Sequence, residues 1–221
     1  MHSALALLSL IPLSSAHFLL NWPPARGFDD STSSNFPCGG FNTVSSNRTT
    51  WPATGGPIQL DMHHTQTDVE VLIALGSDPG VNYNIVMRPT FLQQGLGNFC
   101  VGMVSVPSGV NITEGMPATI QVVSNGDEAG SGGLYQCADV TLTLTPLSSS
   151  DYSSHCANGT GITTQSISNS NVNANETFPS GGATSASGSA AAAKSTGLAP
   201  QNTLAAWAIG AVGVVGGLMA L

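Results

Sequence analysis

Short runs rich in β-branched and other apolar residues recur through the middle of the chain, at residues 69–75, 83–87, 99–106, 118–124 and 134–145. Clusters of Gly, Pro, Asn and Asp separate them, the punctuation expected between strands. Shorter extended candidates at 17–21 and 57–62 bring the expected number to about seven strands. In the last run Leu134, Ala138, Val140, Leu142 and Leu144 share one face, and Tyr135, Cys137, Asp139, Thr141 and Thr143 take the other. Asp139 therefore need not enter the core. Several short strands without a helical period predict an all-β fold, an immunoglobulin or fibronectin-III-like antiparallel β-sandwich, over residues 17–147.

The ends of the chain follow different patterns. Residues 1–16 combine an apolar stretch with Ser14-Ser15-Ala16, small residues of the kind a signal peptidase recognises, so cleavage is expected to leave His17 first. Residues 148–190 are dominated by Ser, Thr, Asn, Ala and Gly, a composition that buries too little apolar surface to offset its ordering entropy, and they read as a solvated, disordered stalk. In residues 191–221 a spacer leads into an uncharged hydrophobic tail, with small residues just upstream, the order of a GPI-anchor signal. The expected product is a secreted, glycosylated monomer held at the outer face of the plasma membrane by a GPI lipid.

Charge narrows the function. Only 4 basic residues stand against 12 acidic ones, giving a formal charge of −8, so no basic patch can be assembled against phosphates and nucleic-acid binding is excluded. Four cysteines, Cys38, Cys100, Cys137 and Cys156, in a chain routed through the secretory pathway predict two disulfides of unassigned pairing. A bridge from Cys156 would tie the base of the stalk back to the domain. Sequons at Asn47, Asn111, Asn158 and Asn175 are candidate glycosylation sites.

The expected cleavage has a chemical consequence. A histidine in first position offers its α-amine and imidazole Nδ1 to one metal ion as a chelate, and the amine deprotonates readily, with a reference pKa of about 8. One further imidazole completes a three-nitrogen site of the tetragonal kind that suits Cu(II). With His2 removed, the remaining candidates are His63, His64 and His155. In an extended segment His63 and His64 would point to opposite faces, so both reach one ion only if a turn intervenes.

A set of motifs runs through the same region. His17-Phe18 is followed by Pro23-Pro24-Ala25-Arg26-Gly27-Phe28-Asp29, Phe36-Pro37-Cys38-Gly39-Gly40-Phe41, Trp51-Pro52, Met62-His63-His64-Thr65, Asn98-Phe99-Cys100 and Leu134-Tyr135-Gln136-Cys137-Ala138-Asp139-Val140. In this order they resemble the fungal copper acquisition factor family, histidine-brace proteins similar to lytic polysaccharide monooxygenases. The resemblance implies a sandwich that binds one copper ion, as Cu(II) or Cu(I), and captures it at the cell surface without cleaving polysaccharide. It implies metal ligation by the amine and Nδ1 of His17, by His64 with His63 as the alternative, and by Asp139. A copper transporter or a cell-wall polysaccharide is the implied further partner. A carboxylate beside the metal would favour Cu(II) and occupy a position O₂ needs.

Two readings of other classes stand beside this one: a copper-dependent monooxygenase acting on chitin or glucan, with Tyr135 or Tyr152 as axial tyrosine, and a structural cell-wall protein. The acidic pairs Asp29-Asp30 and Asp127-Glu128 lie in Gly/Ser-rich loops and read as solvated turns rather than a glycosidase pair. A hydrolase is not supported, because no G-x-S-x-G elbow is present. His155 reads as stalk surface, Trp22, Trp51 and Phe28 as core or staple residues, and Arg26 and Arg48 as partners of local acids.

Overall fold

The computed structural model describes residues 17–126 and 133–167. The expected signal peptide, the Asp127-Glu128 pair, Asn175, the stalk beyond residue 167 and the GPI signal lie outside the described residues. Nine strands are described: β1 (Phe18–Trp22), β2 (Thr49–Pro52), β3 (Gly56–Met62), β4 (Gln66–Leu75), β5 (Ile85–Gln94), β6 (Gly97–Val104), β7 (Pro117–Gly126), β8 (Leu134–Thr143) and β9 (Thr163–Ser166), with one short helix, α1 (Ser149–Ser154). They form a three-stranded sheet in the order β1-β3-β6 and a six-stranded sheet in the order β2-β8-β7-β4-β5-β9. The fold is thus an all-β sandwich, as the apolar pattern predicts.

Strand alternation decides what lies between the sheets. Val69, Val71 and Ile73 of β4, Ile120 and Val122 of β7, and Ala138, Val140 and Leu142 of β8 are fully buried in one cluster with Ile58, Leu60 and Met62 of β3 and Phe18 and Leu20 of β1. Trp51 of β2 is fully buried in the same core. Gly56 is required there, because a Cβ at that position would stand 2.5 Å from the Trp51 indole.

Three departures from the sequence expectation have physical causes. β2 runs parallel to β8, whereas the other described pairings are antiparallel, so the sandwich is not antiparallel throughout. β5 continues past Met87 to Gln94 despite Pro89, since Val69 opposes Phe91 while Val71 opposes Arg88. The extra residue makes a bulge, where a residue without an N–H is tolerated. The packed chain also does not stop at residue 147. Ser148 caps α1, its hydroxyl accepting from the Asp151 N–H; Cys156 is bridged to Cys100, and β9 pairs with β5.

The second disulfide, Cys38–Cys137, fixes the long connection between β1 and β2 across the outer face of the six-stranded sheet. That connection also borders β8 directly, with the Arg26 N–H donating to the Cys137 carbonyl and the Tyr135 N–H to the Ser33 carbonyl. Tyr135, Cys137 and Asp139, which point away from the sandwich core, are buried beneath it all the same.

Candidate metal site

The ladder between β1 and β3 pairs Phe18 with Met62, and both side chains enter the core. One step further the His63 N–H donates to the His17 carbonyl at 3.2 Å. His17 and His63 therefore continue the register as a cross-strand pair, on the face opposite to Phe18 and Met62. Their rings lie 4.2 Å apart and tilted by 42°, and Phe28 packs against His17 at 5.1 Å.

Two carboxylates border the pair. Asp30 Oδ1 is 3.6 Å from His17 Nδ1, and Asp61 Oδ2 is 3.4 Å from His63 Nε2. Asp61 precedes His63 by two positions and so shares its face of β3. Asp30 arrives from the 3₁₀ turn at Asp30–Thr32. The His17 imidazole titrates below its ordinary value, first because it is partly buried and then because His63 stands beside it. Asp30 opposes this shift and His64 adds to it.

The chain leaves β3 after Met62 and bends at His64 and Thr65 before β4 begins, with His64 near enough to influence the titration of His17. His64 is half-buried, and its Nε2 is fully buried with no hydrogen-bond partner among the described residues. A buried ring nitrogen without a partner is costly unless something else fills the position. Among the described residues no three His, Cys, Asp or Glu side chains are grouped to hold a metal. Two imidazole neighbours, an orphaned Nε2 and a carboxylate beside Nδ1 form a nitrogen-rich donor set that fits copper.

Asp139, expected to join His17, is engaged by other partners in this structure. It sits on the outer face of the six-stranded sheet. Its Oδ1 accepts from Arg26 Nη2 at 2.8 Å and Thr119 Oγ1 at 2.7 Å, and its Oδ2 from Arg26 Nε at 2.8 Å and the Ser45 N–H at 2.7 Å. Both oxygens are thus fully engaged, leaving no lone pair for an ion. Burial alone would raise this carboxyl, but the bidentate Arg26, the Thr119 hydroxyl and the Ser45 N–H outweigh it and hold it below the usual carboxylate range. Arg26 pairs across 113 positions rather than with a local acid.

The remaining candidates are distributed away from His17. Tyr135 packs edge-on against Phe36 beneath the β1–β2 connection, and the Tyr152 hydroxyl lies 3.9 Å from Cys100 Sγ. His155 is not bare stalk surface: its ring stacks on Trp22 at 3.4 Å and 5°. Asn47, Asn111 and Asn158 are exposed, and Asn158 Oδ1 accepts from the Cys100 N–H.

Sequence reasoning missed Gln136. From β8 its side chain reaches across to β1, donating to the Phe18 carbonyl and accepting from the Leu20 N–H. It thereby holds the backbone next to His17 as a neighbouring strand would. Gln136→Ala leaves both backbone groups buried and unpaired and is expected to cost about 1–3 kcal/mol. The loss should register as a lower urea midpoint, with amide exchange quickened first in β1.

Comparison with known proteins gives a consistent picture. A family model described as copper acquisition factor BIM1-like matches residues 15–161. An uncharacterized protein of Aspergillus fumigatus is 46% identical over 82% of this chain and 76% of its own. Copper acquisition factor BIM1 of Cryptococcus neoformans var. grubii is 35% identical over 58% of this chain and 60% of its own. The lytic polysaccharide monooxygenase-like protein X325 of Yarrowia lipolytica is 32% identical over 77% of this chain and 64% of its own. The matches span less than two thirds of the latter two proteins.

Proposed function

We propose that this chain, which belongs to the BIM1-like copper acquisition factor family, captures a copper ion outside the cell through an N-terminal histidine brace. The ion is cargo. His17 would supply its α-amine and Nδ1 once residues 1–16 are removed, and His64 Nε2 the third nitrogen. The observation that carries this reading is the buried, unpartnered His64 Nε2 in the bend beside the His17–His63 pair. His63, already facing Asp61, is the alternative third ligand.

With Asp139 engaged by Arg26, the carboxylate best placed to influence the ion is Asp30, beside His17 Nδ1. A hard anionic group there favours Cu(II), which supports capture over reductive oxygen activation. The anchoring reading rests on sequence: a tail of the GPI-signal type would hold the domain at the outer face of the plasma membrane, where copper could pass to a transporter. Mass spectrometry of the secreted protein, followed by Cu(II) titration, tests the proposal. It requires an N-terminus at His17 and one tightly bound ion.

A further inference from the structure

β6 ends the three-stranded sheet and β9 ends the six-stranded one, and a cavity of about 190 Å³ is lined by residues of both. Phe91 of β5 and Phe99 of β6 are buried and line it from the core. Arg88, Asn158, Thr163 and Thr164 are exposed and line it toward solvent.

Asn158 opens the sequon Asn158-Gly159-Thr160, and the chain around it is tied to the free edge of β6. The Cys100 N–H donates to Asn158 Oδ1 at 2.7 Å, and the Gly159 N–H donates to the Asn98 carbonyl at 2.7 Å. Gln59 holds both backbone groups of Ala157, and Cys156 is bridged to Cys100. Because an N–H donates to it, the amide atom facing Cys100 is the oxygen, which leaves Nδ2 for another substituent. A sugar on Nδ2 therefore keeps the Cys100 bond in place, and the exposure of Asn158 and Thr160 leaves room for the linkage. A sequon fixed in this way sends its sugar in one direction, so little ordering remains to oppose docking.

The lining suits a neutral, hydroxyl-rich ring. Arg88 lies over Phe91 at 5.2 Å and forms no ion pair among the described residues, so its guanidinium keeps donors for a ligand. Thr164 adds a hydroxyl. A single exposed arginine does not make an anion site, and Arg26 and Arg48 are engaged elsewhere. The volume lies below the roughly 300–1,000 Å³ usual for free small ligands, so an untethered molecule would gain little. A sugar attached at the rim docks intramolecularly, at an effective concentration of roughly millimolar, and weak contacts then suffice.

We propose that Asn158 carries an N-glycan whose first N-acetylglucosamine seats in this cavity, between Arg88 of β5 and Thr164 of β9. That sugar is a part of the fold rather than a coat on it. The inference shares with the proposed function only passage through the secretory pathway and does not depend on copper.

The test uses the protein secreted from yeast, with glycopeptide mass spectrometry for occupancy and thermal unfolding for the structural role. Asn158 is expected to be occupied. Thr160→Ala removes the sequon but keeps the Asn158 oxygen, and should lower the thermal midpoint by about 3 °C. Asn158→Asp, which retains an acceptor for the Cys100 N–H, should lower it alike, whereas Thr160→Ser keeps the sequon and should stay near the parent value. Trimming with endoglycosidase H, which leaves one N-acetylglucosamine on the asparagine, should leave the midpoint within about 1 °C of the untrimmed protein. In an Arg88→Leu background the loss on Thr160→Ala should shrink to about half, since the two changes share one contact. A bare Asn158 in protein that begins at His17, equal midpoints for the parent and both sequon-free variants, or a fall on trimming as large as that of Thr160→Ala overturns the proposal. Failed Cu(II) binding with Asn158 occupied and the midpoints as expected would count against the copper reading alone.

Discussion

Asp139→Ala is expected to destabilise the domain by about 3–5 kcal/mol and to leave Cu(II) binding intact. The substitution strands the Arg26 guanidinium, whose side chain is 5% exposed, in a site where water cannot replace the lost carboxylate. It also removes the acceptor of the Thr119 hydroxyl and the Ser45 N–H, which fastens the β1–β2 connection to the sheet. Denaturant unfolding reads the first effect. Copper titration of the same preparation, in conditions where circular dichroism shows it folded, reads the second. Asp139→Asn offers a milder variant if the alanine form does not fold.

The pH dependence follows from the direction of the shift. Asp139 is held below its ordinary value in the folded state, so its stabilising contribution is complete above the unfolded carboxylate pKa of about 3.9 and is lost as pH falls through the lower folded value. Asp139→Asn should accordingly flatten the acid limb of stability against pH. Loss of copper with unchanged stability would instead return Asp139 to the ligand set.

His17→Ala is expected to lower Cu(II) affinity by well over about 100-fold, because it removes one imidazole and the preorganised chelate together. Acetylating the α-amine of the mature protein should do the same with every side chain in place, which separates the brace from an ordinary histidine cluster. His64→Ala should weaken binding strongly and His63→Ala less, since His63 Nε2 already faces Asp61. The reverse order exchanges the two roles. Full affinity in the acetylated protein would end the brace assignment.

Much of the sandwich was readable because alternation and apolar composition act locally: each of the seven expected strands overlaps an observed one. β2 was not readable, since Thr49-Thr50-Trp51-Pro52 is too short to alternate and forms by pairing with β8. β9 was not readable either, because Thr163-Thr164-Gln165-Ser166 is wholly exposed and is ordered only through β5. The position of His17 opposite His63 follows from ladder register, which an apolar pattern predicts only approximately. Asp139 marks the limit of this approach. Its outward face was legible, but a partner 113 positions away in a strandless connection was not.

The bridge between Cys100 and Cys156, together with β9 lying along β5, bears on how the domain can be shortened. A fragment ending at residue 147 would carry an odd thiol and an uncapped row of amides and carbonyls. Both invite a second molecule, through mixed disulfides in one case and intermolecular strand exchange in the other. The natural boundary for a soluble, self-contained fragment therefore falls after Ser166, some twenty residues beyond the last apolar strand.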